Sequence, residues 1–247
     1  MFSGTRLNNI IVGIWLLIMS DNLELLNNRI ISCTKCDRLV EYCGEISRIK
    51  KRMYITDNYW GKPVPGFGDP NAQVLIVGLA PAAHGANRTG RMFTGDKSGA
   101  WLFSALGRFG FSNSEKSLQR GDGLKLRNVY ITSVVHCAPP KNKPSKEEMD
   151  TCNLYLQQEI ELLTNLKVVV TLGKIAFDGY YKSLKNMGYD LKANGMRPTF
   201  SHASSFRTPD NKTLISSFHP SQQNTQTGKL TTEMFDDVFL KVTQALK

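Results

Sequence analysis

The chain has 247 residues, among them five cysteines, and its 31 Lys and Arg outnumber its 21 Asp and Glu to give a formal charge of +10. With 41% hydrophobic residues it is too apolar for a disordered protein, and so few cysteines exclude a scaffold built on disulfides. A chain of this length buries enough surface to fold without such cross-links. The positive charge favours a polyanionic partner such as nucleic acid, although composition by itself does not decide this.

An apolar run of ten residues, Ile10–Met19, lies near the start of the sequence. It is too short to span a bilayer, which takes about 20 residues, and no small-residue cleavage site follows it. We therefore favour a packed extension, or a translation start at Met19 that leaves residues 1–18 unmade, over an export signal. We expect an extension over residues 1–27, a single domain over residues 28–247, and a cytoplasmic protein that does not contact membranes.

Four short apolar runs alternate with helical stretches in the rest of the chain. Their continuous apolar character predicts parallel strands that are buried on both faces. The runs are Val74–Leu79, Val129–Val135, Val168–Leu172 and Leu214–Phe218. Helices are predicted over Ser98–Phe109, Ser145–Asn165, Lys174–Met187 and Thr231–Leu246. This alternation predicts a doubly wound α/β domain, in which ligand sites lie just after the strands.

Four of the five cysteines form two pairs. Cys33 and Cys36 are spaced C-x-x-C, and Cys137 and Cys152 are spaced C-x14-C. Four thiolates suit either a tetrahedral zinc site or an iron–sulfur cluster, and the spacing does not separate the two. Four unconnected core cysteines are the other alternative, whereas a thioredoxin-like redox motif lacks its strand-to-helix context. Cys43 is predicted to be a packed free thiol.

Two polar loops follow the first and the last predicted strands. The first reads GLAPAAHGANRTGRMFTGD over residues 78–96, where Gly and Ala let peptide N–H groups approach a ligand and Phe93 offers a stacking face. It contains neither a Walker A motif nor G-x-G-x-x-G, which disfavours nucleotide binding of those kinds. The last loop reads HPSQQNTQTG over residues 219–228. We expect both loops at one edge of the sheet.

These two loops, the paired cysteines and the segment YWGKPVPGFGD over residues 59–69 resemble the uracil-DNA glycosylase superfamily. The resemblance runs from about residue 30 to residue 239 and is strongest to family 5, the iron–sulfur type of archaea and some bacteria. It implies a three-layer α/β/α fold with a central, mostly parallel four-stranded sheet. The implied activity is a monofunctional DNA repair glycosylase that hydrolyses the N-glycosidic bond of flipped-out uracil, and of hypoxanthine and xanthine as further substrates. DNA is the implied partner of a monomeric protein, and a sliding clamp is a further candidate.

The resemblance also assigns catalytic roles. His219 matches the histidine that hydrogen-bonds the base as negative charge develops on it. The Asp that positions the attacking water in other families aligns with Ala80, which has no carboxylate. We therefore expect Asn87 to orient the water, with Asp96 as an alternative.

The pocket that the resemblance implies is wide. Ala82 replaces the aromatic residue that excludes the thymine methyl group in strict uracil enzymes, which makes larger deaminated bases plausible substrates. Ser133 stands where related enzymes carry an Asn that reads the uracil edge. The implied base-binding residues are Gly78, Ala80, Pro81, Ala82, Ala83, Phe93 and Ser133.

The resemblance also implies metal ligands, and we expect a set of residues that contact DNA. Cys33, Cys36, Cys137 and Cys152 are the implied ligands of a structural [4Fe-4S] cluster, and no catalytic metal is expected. The expected DNA contacts are Lys141, Lys143, Ser221, Gln222, Gln223 and Asn224. Two rival hypotheses remain: a non-catalytic nucleic-acid-binding protein stabilised by zinc, and an iron–sulfur redox protein.

Overall fold

The structure is a computed structural model that describes residues 22–191 and 198–247, so the run Ile10–Met19 lies outside the described residues. Its strands are β1 (Phe67–Gly68), β2 (Val74–Gly78), β3 (Val129–Ser133), β4 (Val168–Leu172), β5 (Ser205–Arg207) and β6 (Thr213–Ser217). The first helix, α1, covers residues 22–31 in its described part. The others are α2 (Asp37–Ile49), α3 (Ala86–Thr89), α4 (Lys97–Arg108), α5 (Lys146–Leu162), α6 (Lys174–Asn186), α7 (Gln222–Gln226) and α8 (Thr232–Ala245). Short 3-10 turns lie at Arg52–Tyr54 and Pro140–Asn142.

The strands form one mixed sheet in the order β1-β3-β2-β4-β6-β5. The four predicted strands are its centre and pair in parallel. Two short edge strands, β1 and β5, were not predicted and pair antiparallel with β3 and β6. The α/β fold class is confirmed, and the edge strands extend the predicted four-stranded sheet to six.

Burial on both faces explains why the central strands read as continuous apolar runs. In β2, Leu75 and Val77 pack in a core shared with α5 and α6. The alternate residues Val74 and Ile76 pack in a second core with α4 and α8. Successive side chains point to opposite faces of a strand, so each strand contributes to both cores and the three layers are α/β/α.

Helix α1 belongs to the first of these cores. Leu23, Leu26 and Ile30 are buried there. The predicted boundary between residues 27 and 28 falls inside this helix, with buried side chains on both sides of it. None of the helices in the described part of the chain is long and apolar enough to cross a membrane.

The predicted element ends differ from the observed ones by up to three residues. The predicted strand Val129–Val135 stops at Ser133, where the chain turns towards the cysteine loop. Helix α5 begins after Ser145 with the predicted capping box, in which the Ser145 hydroxyl accepts from the Glu148 N–H at 3.2 Å. The Glu148 carboxylate in turn accepts from the Ser145 N–H at 2.6 Å.

Packing in the second core predicts that alanine substitutions of two neighbouring residues of α8 lower the free energy of unfolding by different amounts. The Phe239 ring is buried against Phe109 and Phe235, at centroid distances of 5.8 and 5.3 Å, whereas Leu240 is 49% exposed. Phe239→Ala should lower the free energy of unfolding by about 3–5 kcal/mol, because it leaves a cavity. Leu240→Ala should change it by about 0.5 kcal/mol or less. Urea unfolding of both variants tests this, and equal losses would contradict the packing.

Candidate active site

His219 and Phe93 lie side by side at the carboxyl edge of the sheet. His219 follows β6 by two residues, and its ring centroid lies 6.0 Å from that of Phe93 with an angle of 30° between the planes. Gly173, which follows β4, lies beside it: its φ of +96° favours glycine, and a Cβ atom there would be in ordinary contact, at 3.4 Å, with the Cβ of His219. The structure therefore brings together two residues that are 126 positions apart in the sequence.

Two glycines hold Phe93 in place. Its φ of +53° is in the left-handed region, which a bulky residue adopts only when its surroundings impose it. The ring lies over Gly78, where a Cβ atom would come within 2.7 Å of two ring carbons. A Cβ on Gly99 would come within 1.7 Å of the Phe93 carbonyl oxygen. Any side chain at either glycine would displace the aromatic ring.

The loop after β2 presents unpaired peptide N–H groups. None of the described residues accepts a hydrogen bond from the N–H of Ala80, Ala82 or Ala83. The carbonyl of Ala82 accepts from the N–H groups of Gly85 and Asn87, both at 3.1 Å, which fixes the turn. Backbone donors held in this way can bind an anion or a carbonyl oxygen. Pro81, which lies between them, is buried and has no N–H to offer.

The His219 imidazole is neutral at physiological pH. Burial lowers its pKa to about 4. A neutral imidazole carries one N–H, so His219 can donate a hydrogen bond without bringing a positive charge into the pocket.

Asn87 and Asp96 are the two candidates for orienting a water. They differ in which side-chain oxygens already accept a hydrogen bond. Asn87 is buried and its Nδ2 donates to the carbonyls of Cys43 at 3.3 Å and Ala83 at 3.4 Å. Its Oδ1 is buried without a partner in the described part of the chain. The Asp96 carboxylate instead accepts from the Gly99 N–H at 2.8 Å and caps α4. Asn87 therefore has an acceptor that is unpartnered but fully buried, while the cap of α4 uses Oδ1, one of the two Asp96 carboxylate oxygens.

Ser133 lies at the end of β3, paired in register with Gly78. Its hydroxyl is buried and donates to the Val135 carbonyl at 2.8 Å, and it lies 3.5 Å from the sulfur of Met92. The hydroxyl proton is therefore used within the protein, and the oxygen can only accept a hydrogen bond from a ligand.

In the loop after His219, some residues are exposed and one supports the backbone of His219. Gln222 and Gln223 are exposed in the short helix α7, which Ser221 caps. The Asn224 side chain donates to the His219 carbonyl at 2.8 Å. Asn224 thus holds the backbone of His219 in place, a role that the sequence did not indicate.

The two predicted DNA-binding lysines lie on the loop between β3 and α5. Lys141 and Lys143 are exposed, and neither forms an ion pair with a described acidic residue. The loop is fixed at its end by Arg38, which binds the Glu148 carboxylate at 2.7 Å through two nitrogens and reaches the Lys143 carbonyl at 3.4 Å. The lysines therefore lie on a positioned loop.

The four paired cysteines line one small cavity. Cys36 directly precedes α2, Cys152 lies in the first turns of α5, and Cys33 and Cys137 complete the set. Apolar side chains close the walls around them. Burial and the charge of Cys33 raise the pKa of the Cys36 thiol, and burial raises that of Cys152 to about 12. Without a positive centre between them these thiolates would repel one another.

The fifth cysteine lies beside this cavity and outside its lining. Cys43 is buried, and its sulfur accepts from the N–H of Ala138 at 3.3 Å. No three His, Cys, Asp or Glu side chains among the described residues are grouped closely enough to hold one metal ion. The four paired cysteines therefore share the lining of one cavity, while Cys43 lies outside it.

Comparison with known proteins matches this arrangement to one family. The family model for the uracil DNA glycosylase superfamily matches residues 65–246. The protein is similar to the Type-5 uracil-DNA glycosylase of Thermus thermophilus, with 45% identity over 85% of this chain and 92% of the relative. The chain belongs to the uracil-DNA glycosylase superfamily. Proteins of the same description from Pyrobaculum aerophilum and Mycobacterium leprae are each 44% identical, over 85% and 87% of this chain and 88% and 91% of the relatives.

One buried carboxyl group, that of Glu159, was not identified from the sequence. Glu159 is fully buried, its Oε2 accepts from the Thr132 hydroxyl at 2.6 Å, and burial raises its pKa to about 8. His136 Nε2 lies 4.0 Å from the same oxygen. Helical spacing could have indicated its burial, because Glu159 falls on the same face of α5 as Cys152 and Tyr155.

The environment of His219 predicts an unusual titration. Because burial lowers the pKa of its imidazole to about 4, the ring should stay neutral from pH 8 down to about pH 5. The ring signals of His219 in an NMR titration should stay constant over this range, with the His219→Gln spectrum providing the assignment. A midpoint near 6.5, the ordinary histidine value, would contradict the buried environment.

Proposed function

We propose that this protein hydrolyses the N-glycosidic bond between uracil and deoxyribose in DNA and leaves an abasic site. The observation that carries the proposal is the neutral His219 beside Phe93, next to a loop with unpaired peptide N–H groups. Membership of the superfamily and the names of its relatives, Type-5 uracil-DNA glycosylases, point to the same activity. The proposal makes the protein a DNA repair enzyme.

His219 is the proposed hydrogen-bond donor to the departing base. Bond cleavage leaves an oxocarbenium-like sugar and an anionic base, so the transition state is stabilised by donors that face the base oxygen. One such donor contributes about 2.7–4 kcal/mol. The neutral imidazole supplies this donor, and the N–H groups of Ala80, Ala82 and Ala83 add to it.

Phe93 and Asn87 are the proposed stacking and water-orienting residues. The base must leave the helix to reach the pocket, which costs a few kcal/mol, and stacking on an aromatic ring offsets part of this cost. The buried Oδ1 of Asn87 is the free acceptor that can hold the attacking water. Its Nδ2 bonds to Cys43 and Ala83 fix the direction of that oxygen.

We further propose that hypoxanthine and xanthine are substrates. Ala82 leaves space for a purine ring system. Ser133, whose oxygen can only accept, matches the ring N–H that uracil carries at N3 and hypoxanthine at N1. Cytosine and adenine have an acceptor at the corresponding positions, so the same oxygen disfavours these two bases, whereas thymine and guanine carry the same ring N–H as the substrates.

DNA is held, in this proposal, by residues on two loops. Lys141 and Lys143 contact phosphates, while Ser221, Gln222 and Gln223 lie beside the emptied base position and Asn224 supports them. The proposal keeps a monomeric enzyme, with a sliding clamp as a further candidate partner.

A [4Fe-4S] cluster bound by Cys33, Cys36, Cys137 and Cys152 is the proposed cofactor. Four cysteine thiols that line one cavity supply the ligand number of such a cluster, and the similarity to Type-5 uracil-DNA glycosylases favours it over zinc. When bound, the cluster supplies positive charge between the thiolates and links the two cysteine pairs. Its role is structural, because it holds α2 and the lysine loop together.

Replacement of His219 tests the activity. His219→Ala should slow single-turnover release of uracil from a U:G duplex by about 10²–10³-fold, because one donor to the base is lost. His219→Gln, which keeps an N–H donor, should be slowed less. The same assay with hypoxanthine and xanthine duplexes tests the substrate range. Wild-type protein that releases no base, or a His219→Ala variant with the wild-type rate, would overturn the proposal.

Cysteine variants test the cofactor. Metal and sulfide analysis should give four iron and four sulfide per wild-type chain. Cys152→Ala should lose iron and visible absorbance, whereas Cys43→Ala, the matched control, should keep both. A colourless wild-type protein with stoichiometric zinc would contradict the cluster.

A further inference from the structure

We propose that residues 48–55, here called the basic segment, form a second contact to the DNA backbone beside the pocket. The segment joins the end of α2 to the 3-10 turn Arg52–Tyr54 and reads RIKKRMYI. The inference rests on the proposed function, because that function supplies the DNA.

The first observation is unpaired charge. Arg48, Lys51 and Arg52 are exposed, and in the described part of the chain none of them forms an ion pair. Four other arginines do form ion pairs, as in Arg91 with Asp122 at 2.6 Å. The backbone of the segment is set by Lys50, whose φ is +54° and whose ammonium donates to the Ile55 carbonyl at 3.2 Å. With Lys50, four positive charges within five residues thus lie on a fixed turn, and none of them is paired with a described acidic side chain.

The second observation is that the basic segment is attached to the pocket loop. The Arg88 guanidinium lies 3.9 Å from the ring centroid of Tyr54. The Lys51 N–H donates to the Tyr59 hydroxyl at 3.3 Å, and this hydroxyl bonds His84 Nδ1 at 3.0 Å. His84 and Arg88 belong to the loop that lines the proposed base pocket, so the charges lie next to the position of the flipped nucleotide.

The charge of Lys51 also acts on that loop. The pKa of His84 is lowered, first by burial and then by the positive charges of Lys51 and Arg88. Asp57, the acidic residue close by, is bound to Arg88 at 2.6 Å and does not neutralise the segment. A positive field therefore remains at the edge of the pocket, where a phosphate group would be attracted.

The third observation is the apolar side chains among these charges. Ile49, Met53 and Ile55 are 63, 66 and 59% exposed. Proteins that deform DNA combine basic residues with exposed apolar ones that contact sugars and base edges. A protein partner could also cover such side chains, but the uncompensated positive charge favours a polyanion.

Salt-dependent DNA binding tests this inference. The test compares Lys51→Ala/Arg52→Ala with a matched control, Arg127→Ala/Lys167→Ala. The control residues are exposed, unpaired among the described acidic side chains, and precede β3 and β4 at the opposite edge of the sheet. Each pair removes two positive charges, so net charge alone cannot separate them.

Binding is measured by fluorescence anisotropy with an undamaged duplex at increasing salt. The Lys51/Arg52 variant should bind more weakly, and its slope of log K against log salt should be smaller by about 2, because two phosphate contacts are lost. The difference from wild type should shrink as the salt concentration rises. The control should keep the wild-type slope.

Two results would overturn the inference: equal slopes for the two double variants, or a wild-type slope for the Lys51/Arg52 variant, which would assign the segment to a protein partner instead. Failure of the proposed function is a separate result. A wild-type protein that shows the predicted slopes but releases no uracil would keep the DNA contact and lose the glycosylase activity.

Discussion

The parallel pairing of β2, β3, β4 and β6 is the constraint on which the site depends. Because these strands run in one direction, the segments that follow them meet at one edge of the sheet. Gly78 and Ser133 are paired in register, and His219 follows the end of β6, which β4 separates from β2. The pairing is in turn stabilised by two apolar cores, one on each face. The chemistry of the site thus rests on side chains far from it.

The sequence predicted the central fold well because burial on both faces leaves a strong pattern. The edge strands β1 and β5 escaped prediction, since two or three residues paired on one side need no apolar run. The contrast is physical: the central strands are selected by packing, and the edge strands by hydrogen bonds to a neighbour that is distant in the chain. The first residue of α5 was predictable, because Ser145 and Glu148 form a local capping motif there. Its last residue was predicted less accurately.

The site shows the same division. The resemblance to a known family indicated His219, Phe93 and Gly78, whereas the residues alone indicated only two polar loops that follow strands. It did not indicate that Asn224 supports the His219 carbonyl, or that the Ser133 proton is already bound by Val135. The neutral state of His219 was also hidden, since burial depends on residues from the whole domain. These properties arise from tertiary contacts, which one sequence does not display.

Gly78 and Gly99 limit how this pocket can change. The Phe93 ring lies on one glycine and its carbonyl on the other, so the stacking surface is defined by the absence of two side chains. A substitution at either position would move the aromatic ring and shift the start of α4, which Gly99 occupies. Substitutions that leave these two glycines unchanged keep the Phe93 ring in its place. Under the proposed function, the choice of base would then change at Ala82 without any change in the aromatic surface proposed to stack on the base.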